Sequence, residues 1–136
     1  MCLLLGAPMP ATAAEASPAL ASAEKLVPQQ EKEGYEFRSE SWENPLEAKM
    51  GRAVRMQLFK GNEYAFCIAA PRDSGAKITA AVLDFEGKPG GDLLPVKEGW
   101  GLVLYYKPAK TGTYAIAIRQ VDGAAAVPCA MIIGWK

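Results

Sequence analysis

Cys67 sits in the run Tyr64-Ala65-Phe66-Cys67-Ile68, and Cys129 in Val127-Pro128-Cys129-Ala130-Met131. A thiol becomes a nucleophile only when something makes it a thiolate, and the usual base is histidine. The chain has three cysteines and no histidine. Metal binding meets the same obstacle, because no Cys-x-x-Cys pair accompanies them and Cys2 lies in the leading segment. Two readings stay open: a Cys67–Cys129 disulfide, or two buried thiols acting as small hydrophobes. Alternation puts Cys67 on the face opposite Tyr64, Phe66 and Ile68, and gives Cys129 the parity of Val127, Met131 and Ile133. If the two strands are neighbours or face each other, a bridge is expected, worth roughly 4 kcal/mol for a loop of that length in the chain-entropy model.

Two other groups could do chemistry. Asp84, Glu86 and Asp92 surround the glycine-rich run Gly87-Lys88-Pro89-Gly90-Gly91. They could suit Ca²⁺, but they lack the alternating ligand spacing of an EF-hand loop, and a solvated hairpin turn is the simpler reading. Trp100, Tyr105 and Tyr106 cluster around one strand, where exposed aromatics could stack on a sugar ring or hold a partner's apolar anchor. Tyr105 and Tyr106 must point to opposite faces. Nothing marks a hydrolase carboxylate pair, a Gly-x-Ser-x-Gly elbow, a phosphate loop or a His-Glu-x-x-His zinc site. The chain therefore reads as non-catalytic and implies no cofactor.

The elements around these residues follow a period of two. Tyr35 and Phe37 alternate with charged residues, then Val54, Met56 and Leu58 with Arg55 and Gln57. Further strands are predicted at residues 64–68, 78–85, 101–107, 113–121 and 127–135, separated by glycine- and proline-rich turns. The run Asn44-Pro45-Leu46-Glu47 has the form of a short helix start, with Asn44 as its cap, and could equally be a loop. Strands at this spacing, with scarcely a helix, predict an all-β domain: a seven- to eight-stranded antiparallel β-sandwich, Greek-key or jelly-roll-like, over residues 35–136. Gly61 and Gly112 are placed at hairpin reversals where positive φ would be needed, and Tyr114 where a tyrosine corner would bury its ring and bond backbone with its hydroxyl.

Leu58, Gly61 and Tyr64 form an aliphatic-x-x-Gly-x-x-aromatic entry to a strand, Asp84 and Gly87 an Asp-x-x-Gly turn, and Pro108, Gly112 and Tyr114 a Pro…Gly-x-Tyr corner. In this order the motifs resemble the bacterial pre-peptidase C-terminal family over residues 54–136. That resemblance implies a small secreted β-sandwich of the kind appended to exported peptidases and other extracellular proteins. No peptidase accompanies the module here, so an accessory role is not carried over directly.

Residues 1–14 carry no charge and pass from a short apolar run into Ala11-Thr12-Ala13-Ala14. They read as the remnant of a signal peptide whose basic region is missing, with the full start expected further upstream. Residues 15–34, rich in Ala, Pro, Ser and Gln, read as a flexible linker with one fleeting helical turn. A lipoprotein anchor at Cys2 lacks its upstream recognition residues, and no run reaches the length of a membrane span. Lys+Arg and Asp+Glu are 15 each, so no excess of positive charge favours nucleic acid. The expected function is a secreted or periplasmic module that binds an exported protein or a cell-envelope component. A carbohydrate-binding module using Trp100 and the tyrosines is the alternative.

Overall fold

Along Tyr64–Ala69 large side chains alternate with small ones, and all six residues are buried. A strand buried on both faces must lie inside a sheet and be covered from both sides. The structure, a computed structural model describing residues 17–122 and 125–136, shows how. Among the described residues two short helices, α1 (Pro18–Glu24) and α2 (Val27–Lys32), precede nine strands. These are β1 (Glu36–Leu46), β2 (Arg52–Leu58), β3 (Tyr64–Ala69), β4 (Lys77–Leu83), β5 (Pro89–Gly90), β6 (Asp92–Pro95), β7 (Gly101–Tyr106), β8 (Gly112–Asp122) and β9 (Val127–Trp135). They form two antiparallel sheets, one ordered β1-β9-β3-β7-β6 and the other β2-β8-β4-β5. The all-β sandwich is the architecture of the chain. The strands beyond the seven segments expected from the sequence are the short β5, inside the glycine-rich turn, and β6, just after it.

Between the sheets lies the main core. Phe66 and Ile68 of β3, Leu102 and Leu104 of β7, Ile116 and Ile118 of β8, and Met131 of β9 are at most 1% exposed. The Tyr114 hydroxyl donates to the Lys110 carbonyl at 2.6 Å, closing a tyrosine corner at the start of β8. Gly61 does adopt positive φ, at 99°. Gly112 does not; space explains it, because a Cβ there would come within 2.5 Å of the Phe85 ring.

The segment expected to be a linker differs most. From Ser17 onward it is helical and packed on the outer face of the five-stranded sheet. The Ser17 hydroxyl caps α1 by accepting from the Leu20 N–H at 3.1 Å, and Pro18 occupies the first turn, where its missing N–H costs nothing. Ala19 and Ala23, one turn apart, are fully buried in one cluster with Ala65, Ala69 and Ala130. The fully buried helix residues are alanines, and Leu20, Leu26 and Val27 pack only partly beside them, so the segment's composition looks like that of a linker. The reading of residues 1–14 as a signal peptide lies outside the described residues.

Asn44-Pro45-Leu46 begins no helix. It ends β1, with Asn44 opposite Cys129, Pro45 opposite Pro128 and Leu46 opposite Val127. β1 is an edge strand, where a residue without an N–H is tolerated. Full burial of Leu46 holds the segment extended.

Candidate functional site

Cys67 and Cys129 are both free and buried. The expected bridge is absent, and sheet order explains why. β3 and β9 are neighbours, with Ile68 opposite Met131 and Cys67 opposite Ile132. Ile68 and Met131 both face the main core. Cys129 shares that face, whereas Cys67 points the other way, under the helices. Side chains on opposite faces of one sheet cannot bring their Cβ atoms to disulfide distance. Burial pushes both thiols up to about 12. At pH 8 they should therefore resist iodoacetamide in the native protein, while mass spectrometry after unfolding without reductant should find both positions alkylated. A bonded pair would leave both unlabelled.

Nor do the aromatic candidates form one patch. Trp100 is 9% exposed, in the cluster beneath the helices, with the Arg72 guanidinium 5.9 Å from its ring centroid. Tyr105 faces the same way: its ring lies 6.0 Å from Tyr35, and its hydroxyl donates to the buried Gln30 Oε1 at 2.7 Å. Burial is the main cause that raises the Tyr105 phenol above its ordinary value. Tyr106 points to the opposite face, edge-on to Tyr114 at 5.5 Å. Tyr105 and Tyr106 are both half-buried, one on each face of β7, and so do not form a shared platform with the buried Trp100.

At the acidic turn, Asp84 Oδ1 accepts from the Glu86 and Lys88 N–H groups, each at 2.9 Å. Its carboxylate thus organises a hairpin turn in which Gly87 has φ of 78°. Glu86 and Asp92 are exposed, and among the described residues the three do not gather as a cluster that could hold a metal.

A different place on the molecule has the shape of a binding site. β1 and β2 each form one edge of their respective sheets. A groove of about 290 Å³ beside them is lined by Arg38 and Glu40 of β1, Met56 of β2, Phe59 just beyond it, and Ile133 and Trp135 of β9. Its shape follows from two local irregularities. In the pairing of β1 with β9, Phe37 faces Gly134 while Ser41 faces Ile132, so β1 spends extra residues there and bulges. The Arg38 guanidinium consequently lies 5.0 Å from the Trp135 ring centroid, a cation–π distance, and 4.0 Å from the Glu40 carboxylate. At the other wall, the Tyr64 hydroxyl accepts from the Phe59 N–H at 2.9 Å and the Asn62 Nδ2 at 3.2 Å. This fixes the turn that leaves Phe59 49% exposed.

The groove therefore has apolar and aromatic walls, with one cation and one anion at its rim. Chemically it can desolvate an apolar side chain and orient a polar backbone beside it. Sequence reasoning did not single out Arg38, Phe59 or Trp135 as site residues. The available signal was Phe59, a large aromatic directly before the Lys-Gly-Asn turn, where burial by alternation cannot continue. No protein-family model matches the chain, and no curated protein matches it significantly.

Proposed function

We propose that this chain is a non-catalytic β-sandwich module that captures an extended segment of another exported protein in the groove between β1 and β2. The observation that carries the reading is the coincidence of an aromatic groove with strand edges. β2 pairs only with β8, so its other side offers main-chain groups to an incoming strand, while Trp135, Phe59 and Met56 offer apolar contact to alternate side chains. The chargeless, alanine-ending run of residues 1–14 supports export, and the resemblance to the pre-peptidase C-terminal family supports a small secreted β-sandwich. Among the described residues, no helix is long and apolar enough to cross a membrane. Of the residues named for the carbohydrate alternative, Trp100 is buried and Tyr105 and Tyr106 are half-buried on opposite faces of β7, which favours the groove reading.

Selection from a displayed random-peptide library, followed by calorimetry, tests the reading. The selected peptides should carry a bulky apolar residue flanked by strand-forming ones. Trp135→Ala and Phe59→Ala should each weaken binding about tenfold or more, as for a central aromatic anchor. Failure to select any peptide, or ligands indifferent to both substitutions, would overturn it.

A further inference from the structure

Both sheets carry alanines on their outer faces, and the two faces meet different fates. Beside the alanines stand Cys67, Val103, Tyr105 and Ile132 on the five-stranded sheet, and Arg55, Thr79 and Arg119 on the other. On the five-stranded sheet, the outward Ala65, Ala69 and Ala130 are fully buried because α1 lies on them with Ala19 and Ala23. On the four-stranded sheet, Ala53 of β2, Ala117 of β8 and Ala81 of β4 stand in one cross-strand row, and no described element covers them. Ala53 is exposed, and Ala81 and Ala117 are half-buried. Alanine is a poor strand former, and an exposed strand face gains more from threonine or valine. The row also forms the floor of a shallow depression of about 370 Å³.

Charge says what kind of partner fits. Arg119 and Arg55 project from this outer face on either side of the alanine row, Arg119 opposite Thr79 and Arg55 opposite Ala115. Both are exposed, and neither makes an ion pair among the described residues. The only acidic residue in β2, β4 and β8 is Asp122, the last residue of β8. We infer that this face docks a partner protein's helix, one with a small-residue stripe flanked by carboxylates, in the way α1 covers the opposite sheet. Arg55 and Arg119 are four residues apart in register along β8 and one strand apart across it. That puts their Cα atoms about 14 Å apart, and the matching carboxylates two to three helical turns apart. Two guanidinium groups parted by neutral alanines suit two discrete carboxylates better than a polyanionic surface.

The test uses side-chain-stapled alanine-based helices carrying two glutamates two or three turns apart, with glutamine and lysine versions beside them. The readout is backbone amide NMR of the full chain. The glutamate helix should shift amides of β2, β4 and β8 and leave the Trp135 groove unmoved, with affinity falling as salt rises. The double variant Arg55→Glu, Arg119→Glu should weaken that helix about tenfold or more and favour the lysine version. Ala117→Lys should block the floor without reversing charge preference. The inference fails if no helix binds, or if binding ignores the charge swap. It also fails if the face instead binds phosphatidylglycerol vesicles, or if sedimentation shows a dimer that Ala117→Lys dissociates. None of these outcomes depends on whether peptides enter the groove between β1 and β2.

Discussion

Ala23→Glu is expected to lower the unfolding free energy by about 3 to 5 kcal/mol, or by the whole free energy of docking α1 if that is smaller. Ala23 is fully buried against the five-stranded sheet, and the contacts of α1 are chiefly with β9 and β3. A carboxylate there must either remain buried without a partner or lift the helix away. Lifting the helix has a chemical signature, because Cys67 lies beneath it while Cys129 faces the main core. Urea titration should show the lost stability, and native-state alkylation should label Cys67 while sparing Cys129. The neighbouring Ala21 is exposed, so Ala21→Glu should change stability by no more than about 0.5 kcal/mol. An unchanged midpoint with Cys67 still protected would show that position 23 is not held against the sheet.

That experiment bears on the part of the fold least visible in the sequence. Strands were legible wherever bulky residues alternate with polar or small ones, as at Val54, Met56 and Leu58 or Phe66 and Ile68. The tyrosine corner was legible because a hydroxyl at a proline–glycine turn has few places to go. What escaped notice was packing built from alanine, since Ala19, Ala23, Ala65 and Ala130 bury too little apolar area each to stand out from a linker's composition. The bridge failed for a different reason. Parity alone set Cys67 opposite Phe66 and Cys129 beside Met131, but whether those parities meet or diverge depends on sheet order. Once β3 and β9 share a sheet and a core, the same parities forbid the bond. Likewise the groove depends on a bulge in β1 and on which strands end at an edge, and neither is written in any local run of residues.

Gln120→Glu is expected to produce a pH-dependent defect of similar size. The Gln120 side chain, 5% exposed, donates from Nε2 to the Leu46 and Ala125 carbonyls at 2.9 Å each, tying the end of β1 to the approach to β9. Replacing the amide by a carboxyl sets an acceptor against two acceptors in a place with little water. Burial and the two carbonyl dipoles both disfavour the ionised form, so the introduced group's folded pKa lies above its unfolded value near 4.3. With that sign, the unfolded state releases the proton first, and stability falls as pH rises from about 4 towards the folded pKa. Relative to the wild type at each pH, the loss should approach about 3 to 5 kcal/mol at pH 7. It should shrink to about 1 to 2 kcal/mol near pH 4, where the protonated carboxyl can still donate to one carbonyl. Gln120→Met removes the donor without adding charge and should cost a similar amount at both pH values. A Gln120→Glu protein equally destabilised at pH 4 and pH 7 would mean that this side chain acts by shape alone.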